Sequence, residues 1–215
     1  MLSFDELNQL NNDPVISKHP QFREISKFFL EMDLDFTYMY MLIYYATKMF
    51  DAMVEVLSDE DAPIDELRGK LYSAYLDVFG DERAFNFRRA DIYSLEVTGT
   101  QIKKREKEDQ PPKSFQTTLK GVLNEAFLIA VNESLIYTSY VQFEEKRESY
   151  QYKTWHTMED ERVRVAHQAM DGERVPINEP FFMDGYELMY PRDVETDPNI
   201  PPQYIVNCRC YLTFS

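Results

Sequence analysis

The sequence predicts an α+β protein, with a mainly helical N-terminal part at residues 1–113 and a small α+β unit with its own leading long helix at 114–215. Three observations predict it. Apolar residues recur at spacings of three and four through most of the first 147 positions, the repeat of helices that bury one face. Glycine is scarce, 6 residues in 215, which disfavours a turn-rich all-β fold. After Ser149 the pattern changes to short aromatic segments that partly alternate and are punctuated by Pro, Asp and Gly, as strands and their turns are.

Each element follows in order. Residues 1–20 are polar and carry Pro14 and Pro20, so they read as an arm or a short helix with a loop. Gln21 to Leu57 contains neither Pro nor Gly, and Phe28, Met32, Phe36, Met39, Ile43, Ala46, Met49 and Met53 mark a helical stripe. Its middle, Phe36 to Tyr45, is apolar almost all round and must be covered on several sides, by the chain's own fold or by a partner subunit. The reading here is an intramolecular core. Ile64 to Phe79 forms a second amphipathic helix that stops at Gly80. Asp81 is placed to cap a shorter helix carrying Phe85, Ile92, Tyr93 and Leu95. Gly99 to Lys113 is charged, holds Pro111-Pro112 and reads as a linker.

Phe115 opens a long helix that runs to about Arg147. Tyr150 to Thr157 then reads as a strand, Arg162 to Met170 as a short helix closed by Asp171-Gly172, and Arg174 to Phe182 as extended chain. Met183 to Pro202 reads as loop, and Tyr204 to Phe214 as a closing strand.

Charge narrows the function classes. The formal net charge is -15, with 9 basic against 19 acidic residues in 1–100, 8 against 8 in 101–150, and 6 against 11 in the remainder. Such a surface repels phosphate backbones, so DNA contact is only weakly supported and protein partners are expected. The one basic cluster, Lys103, Lys104, Arg105 and Lys107, is diluted by Glu106, Glu108 and Asp109 and reads as a solvated loop. Met1 to Leu10 has no basic segment leading an apolar one, so no secretory signal is read there. The longest near-apolar run, Phe36 to Ala46, falls short of the ~18 residues of a membrane span, so no membrane contact is expected. Two cysteines, Cys208 and Cys210, are too few for a disulfide scaffold and fit an intracellular origin. A bridge across one intervening residue would also be strained.

The C-terminal third carries an ordered set of motifs. Trp155 leads a strand; Asp160-Glu-Arg-Val-Arg164-Val-Ala-His167 follows, then the Asp171-Gly172 turn, Tyr190-Pro-Arg-Asp193, and Asn207-Cys-Arg-Cys210. Their order and spacing resemble the phage Mu F-like head-morphogenesis, or minor capsid, family over about residues 120–215. The resemblance implies a structural, non-enzymatic protein of a tailed-phage head. It implies work with the portal protein and other head proteins in procapsid assembly, in the virion head or procapsid and in the host cytoplasm while heads form. Some members of that family carry C-x-x-C where this chain has Arg164-Val-Ala-His167, and a histidine shortly before C-R-C, a set that looks like a tetrahedral zinc site. Here Arg164 and Ile205 stand at two of those positions. His167, Cys208 and Cys210 are the zinc candidates that stay, with His156 as a fourth donor. With half the set replaced, no resident cofactor is expected. On that reading His167 hydrogen-bonds in the core and the cysteines pack as small apolar groups.

Two further readings belong to the same residues. Asp160 is placed to cap the short helix and pair with an arginine, and Asp171 to bond its own turn. The alternative to a structural role is a small nuclease- or toxin-like enzyme in which Asp160, Arg164 and His167 act as charge stabiliser and acid/base. No Gly-rich phosphate loop, H-E-x-x-H or G-x-S-x-G element accompanies them.

Overall fold

The structure, a computed structural model, describes residues 36–58, 64–80 and 115–215, together with Asp5, Gln9, Asn12, Asp13, Pro14 and Ser17. The expected helix around Phe85 to Leu95, the linker at 99–113 and the first turns of the helix expected from Gln21 lie outside these residues.

Helices α1 (Phe36–Ser58), α2 (Ile64–Phe79) and α3 (Phe115–Lys146) occupy the periodic stretches. On α1 the residues Met39, Leu42, Ile43, Ala46, Met49, Phe50 and Met53 are buried, at the spacing that places them on one side of a helix. Two neighbours cover that side, α3 along much of its length and α2. The apolar middle of α1 is therefore covered within the chain, as the sequence reading has it. Tyr45, Phe79 and Tyr137, one from each helix, form the joint. Their ring centroids lie 4.8 Å (Tyr45–Tyr137), 4.7 Å (Phe79–Tyr137) and 5.5 Å (Tyr45–Phe79) apart. Aromatic pairs in this range add about 0.5–1.5 kcal/mol each beyond the area they bury. Nearer the N-terminus of α1, Tyr40 donates its hydroxyl to the Asp13 carboxylate.

The long helix α3 is enclosed from Ala130 to Ser139, where every residue is buried. A helix buried all round needs cover on more than one side. Here α1 covers one side and the C-terminal unit another. Because the second contact is partly polar, Asn132, Ser134, Thr138 and Ser139 are buried alongside Ala130, Val131, Leu135 and Ile136. Ser134 returns its hydroxyl to the Ala130 carbonyl (2.7 Å), which satisfies it within the helix.

Beyond α3 come β1 (Tyr152–His156), α4 (Val165–Gln168), β2 (Arg174–Pro176), β3 (Phe181–Met183), β4 (Tyr186–Leu188), a single 3₁₀ turn at Pro202–Tyr204, and β5 (Tyr211–Phe214). Strand β1 is central in an antiparallel sheet ordered β2-β1-β5, with Lys153 opposite both Val175 and Phe214, and Trp155 opposite Leu212. Side chains alternate across a strand, so Lys153 and Trp155 share the buried face of β1. That face meets β3, where the Trp155 ring stands edge-on to Phe181 at 5.2 Å. It also meets α3, whose Phe143 ring lies 4.8 Å beneath the Lys153 ammonium.

The C-terminal chain departs from expectation in three places. The stretch expected to be loop after Met183 contains β4, paired with β3 in a two-residue hairpin. Its turn is Asp184-Gly185, with φ of 50° and 90°, the left-handed pair that a tight hairpin requires. The closing strand is shorter than Tyr204 to Phe214, because Pro201 and Pro202 start a 3₁₀ turn and the chain pairs only from Tyr211. The helix expected over Arg162 to Met170 is regular only from Val165 to Gln168, with turns on both sides.

Candidate metal centre

Three short segments meet at one place. Helix α4 carries His167, the loop after the 3₁₀ turn carries Cys208 and Cys210, and β1 backs both with Trp155. All four side chains are buried, His167 to 2% exposure. The His167 Nδ1 lies 3.3 Å from the Cys210 Sγ and 3.5 Å from the Cys208 Sγ, and the three donor atoms sit within 4.8 Å of one another. The Trp155 indole nitrogen is buried beside them without a hydrogen-bond partner among the described residues. His156, the fourth donor in the sequence reading, is not in this group: its Nε2 lies 2.8 Å from the Thr213 hydroxyl and its ring stacks on Tyr211.

The donor set fits a zinc-class ion. Zinc bonds of about 2.3 Å to sulfur and about 2.0–2.1 Å to nitrogen, at tetrahedral angles, put N and S ligands ~3.6 Å apart, close to the two separations observed. Both cysteines are free thiols. The His167 Nε2 is buried without a hydrogen-bond partner among the described residues, which costs about 1–3 kcal/mol. That cost stands equally with an ion on Nδ1, so the fit rests on the three donor atoms and their separations.

Charge around the three donors is uneven. Burial pushes the Cys208 thiol up, but the Cys210 thiol, His167 and Arg192 together hold it well below its ordinary value. Cys210 is pushed up, first by its hydrogen bond to the Cys208 sulfur and then by burial. The two shifts run in opposite directions, so Cys208 gives up its proton before Cys210 does. Arg192 lies beneath, 2% exposed, donating through Nη1 to the Cys208 carbonyl (2.6 Å) and through Nη2 to the Ser139 hydroxyl on α3. Its backbone takes φ of 68°, a region that an arginine rarely occupies. Burial lowers its pKa, and the nearby cysteines oppose that shift. Arg192 stands in the Tyr190-Pro-Arg-Asp193 motif, but nothing local in the sequence assigns it this role.

The remaining motif residues hold loops. Asp160 binds Arg209 at 2.6 Å, accepts the Arg162 backbone N–H at 3.0 Å and lies 3.2 Å from the Arg162 guanidinium. The expected arginine pairing is present. The expected helix cap is not, because α4 begins at Val165 behind Arg164 and has no side-chain cap. Arg164 donates to the Val206 carbonyl at 2.8 Å. Asp171 reaches past its own turn to accept the Thr157 N–H (2.6 Å) and hydroxyl (3.0 Å), while Gly172, at φ 76°, donates to the Trp155 carbonyl (2.8 Å). Asp193 is fully buried and accepts the backbone N–H groups of Met189 (2.8 Å), Glu195 (2.9 Å) and Thr196 (3.2 Å), closing the loop after β4. Asn207, at φ 56°, donates its N–H to the Asn132 side chain on α3 (3.0 Å), which ties the cysteine loop to the long helix.

Comparison with known proteins places these residues. The family described as Phage Mu protein F like protein matches residues 97–213, more than half of the chain. No curated protein and no solved structure matches the chain significantly. No described helix is long and apolar enough to cross a membrane. The matched range contains α3, the sheet and the His167–Cys208–Cys210 cluster, and the chain belongs to the phage Mu protein F like family, which points to phage head morphogenesis.

Proposed function

We propose that the protein is a minor capsid protein of a tailed phage that acts in procapsid assembly through contacts with the portal protein and other head proteins. It does no chemistry of its own, and its C-terminal unit is closed by a zinc ion on His167, Cys208 and Cys210. Its place is the procapsid and virion head, and the host cytoplasm while heads are built. One observation carries the reading: within the family-matched range, the polar residues that could serve catalysis are engaged in holding loops together. Asp160 is taken up by Arg209, Arg164 by the Val206 carbonyl, Asp171 by Thr157 and Asp193 by three backbone N–H groups. The net charge of -15 favours protein partners over DNA.

The test is capture of the full chain on the phage's own portal protein, together with electron microscopy of heads made by a phage deleted for it. Retention and aberrant heads are expected. Normal heads without it, and no retention, would overturn the assembly role. The nuclease alternative predicts metal-dependent DNA cleavage that disappears in His167→Ala. The DNA-binding alternative predicts retention on DNA that weakens steeply with salt.

A further inference from the structure

A small pocket opens between α1, α3 and β5, and neither cysteine lines it. Its polar lining is Tyr38 from α1, Thr138, Ser139 and Gln142 from α3, Tyr211 from β5, and Arg192. Two buried polar atoms of that lining have no hydrogen-bond partner among the described residues, the Arg192 Nε and the Thr138 Oγ1. Arg192 is 2% exposed and Thr138 4%. A guanidinium offers donors and no acceptor. Those on Nη1 and Nη2 reach the Cys208 carbonyl and the Ser139 hydroxyl, which leaves the Nε–H.

No carboxylate borders the pocket or lies within ion-pair distance of Arg192 among the described residues. The acidic groups nearby are engaged elsewhere. Asp193, next in the chain, faces the N–H groups of Met189, Glu195 and Thr196. The Cys208 sulfur is turned to His167 and to the Cys210 N–H. Glu145 accepts the Tyr38 hydroxyl (3.1 Å), and the Lys146 ammonium lies over the same ring to offset it. Glu144 pairs with Arg147, and helical spacing puts Glu133 on the opposite side of α3 from Thr138 and Gln142.

We infer that this pocket binds a halide ion, chloride in the cell, on the Arg192 Nε–H and the Thr138 hydroxyl. A buried cation without a counter-ion is costly, and an anion beside it removes that cost where a neutral water does not. The Thr138 hydroxyl turns to donate, so both orphaned groups are satisfied by one acceptor. Size selects the class: the pocket has room for little more than one water, which shuts out sulfate, phosphate and carboxylates. Gln142 and Tyr211 are only half-buried, so the ion can enter and leave past them. The site joins α3 to the loop after β4, and it does not depend on a metal at the cysteines.

The experiment titrates the purified full-length chain with sodium chloride against sodium gluconate at constant ionic strength, reading the chloride NMR linewidth. Exchange with a protein-held site should broaden the resonance saturably, and bromide should reverse the broadening. Thr138→Val keeps the side-chain shape and removes one donor, so it should weaken chloride by about tenfold. Melting should agree: chloride should raise the Tm of the unaltered chain over gluconate and leave that of Thr138→Val unchanged. Broadening that bromide does not reverse, or none at all, would show that the pocket takes water only and would overturn the site. Equal broadening in Thr138→Val would put the ion elsewhere and overturn it too. Should Thr138→Val fail to fold, anomalous scattering from bromide-soaked crystals of the unaltered chain decides: bromide on the Arg192 Nε supports the site, and none there overturns it.

Discussion

The helical layer and the C-terminal unit share α3 but are held by different physics. In the helical layer, α1, α2 and α3 meet through broad apolar faces and a three-ring joint at Tyr45, Phe79 and Tyr137. In the C-terminal unit no strand exceeds five residues, and long loops cross between them. Strands that short bury too little to fix their own register. Polar and thiol groups supply what they lack: Asp171 pins the end of β1, Asp193 closes the loop after β4, Arg192 and Asn207 tie the cysteine loop to α3, and Asp160 holds Arg209. Long periodic elements can rely on area. Short ones depend on individually placed bonds.

Substitutions sharpen that contrast. The largest loss is expected in the helical layer: Phe79→Ala should cost about 3–5 kcal/mol in denaturant unfolding, because a buried ring leaves a cavity between three helices. Asp193→Ala should come next, at about 2–3 kcal/mol, since it strands several buried N–H groups at once. Its effect should appear as local exposure of residues 189–200 to protease, which the Phe79 variant should show only on global unfolding.

Lys153→Met breaks the pattern in the opposite direction. Lys153 is fully buried, donates to the Met189 carbonyl (2.9 Å) and sits between the Phe143 and Phe181 rings. Burial pushes its pKa down to about 8 from 10.5, against an opposing pull from Asp193. Between these two values the unfolded chain binds more protons, so stability should rise as pH climbs from about 8 to 10.5, and the penalty of the buried charge is fully present below 8. The methionine variant should gain about 1–2 kcal/mol at neutral pH and lose that alkaline slope. A loss of stability at pH 7 would show that the ammonium is better accommodated than its surroundings indicate.

The smallest effect is expected at the surface. The Arg209 hydrogen bond holds the Asp160 carboxyl below its ordinary range, helped by Arg162. Its stabilisation is therefore present above the ordinary carboxylate pKa and fades as pH falls through the depressed folded value. Asp160→Asn should flatten the acid limb of the stability curve slightly and change little at neutral pH.

The same contrast governs what the sequence could reveal. Helix α2 and its end at Gly80, the start of α3 at Phe115 and the strand that carries Trp155 all follow from periodicity and punctuation, which are local properties. The β3–β4 hairpin was also legible, in Asp184-Gly185 between Phe182 and Tyr186, but the surrounding Pro and Asp residues obscured it. The pairings were not. Nothing local tells that Asp160 meets Arg209 across 49 positions, that Arg192 reaches Ser139 across 53, or that Asp171 serves Thr157 and not its own turn. His167, Cys208 and Cys210 were legible as a set through the family resemblance, whereas the exclusion of His156 required the sheet, which turns it toward Thr213.

The central claim, that a metal-bridged polar hub holds the C-terminal unit while the helical layer stands on packing, is tested most directly by backbone hydrogen exchange on the full-length chain before and after zinc chelation. The account predicts that protection falls in β1, β5 and residues 205–210 and persists in α1, α2 and the part of α3 that faces them. Unchanged exchange throughout, or an equal loss in both regions, would contradict it.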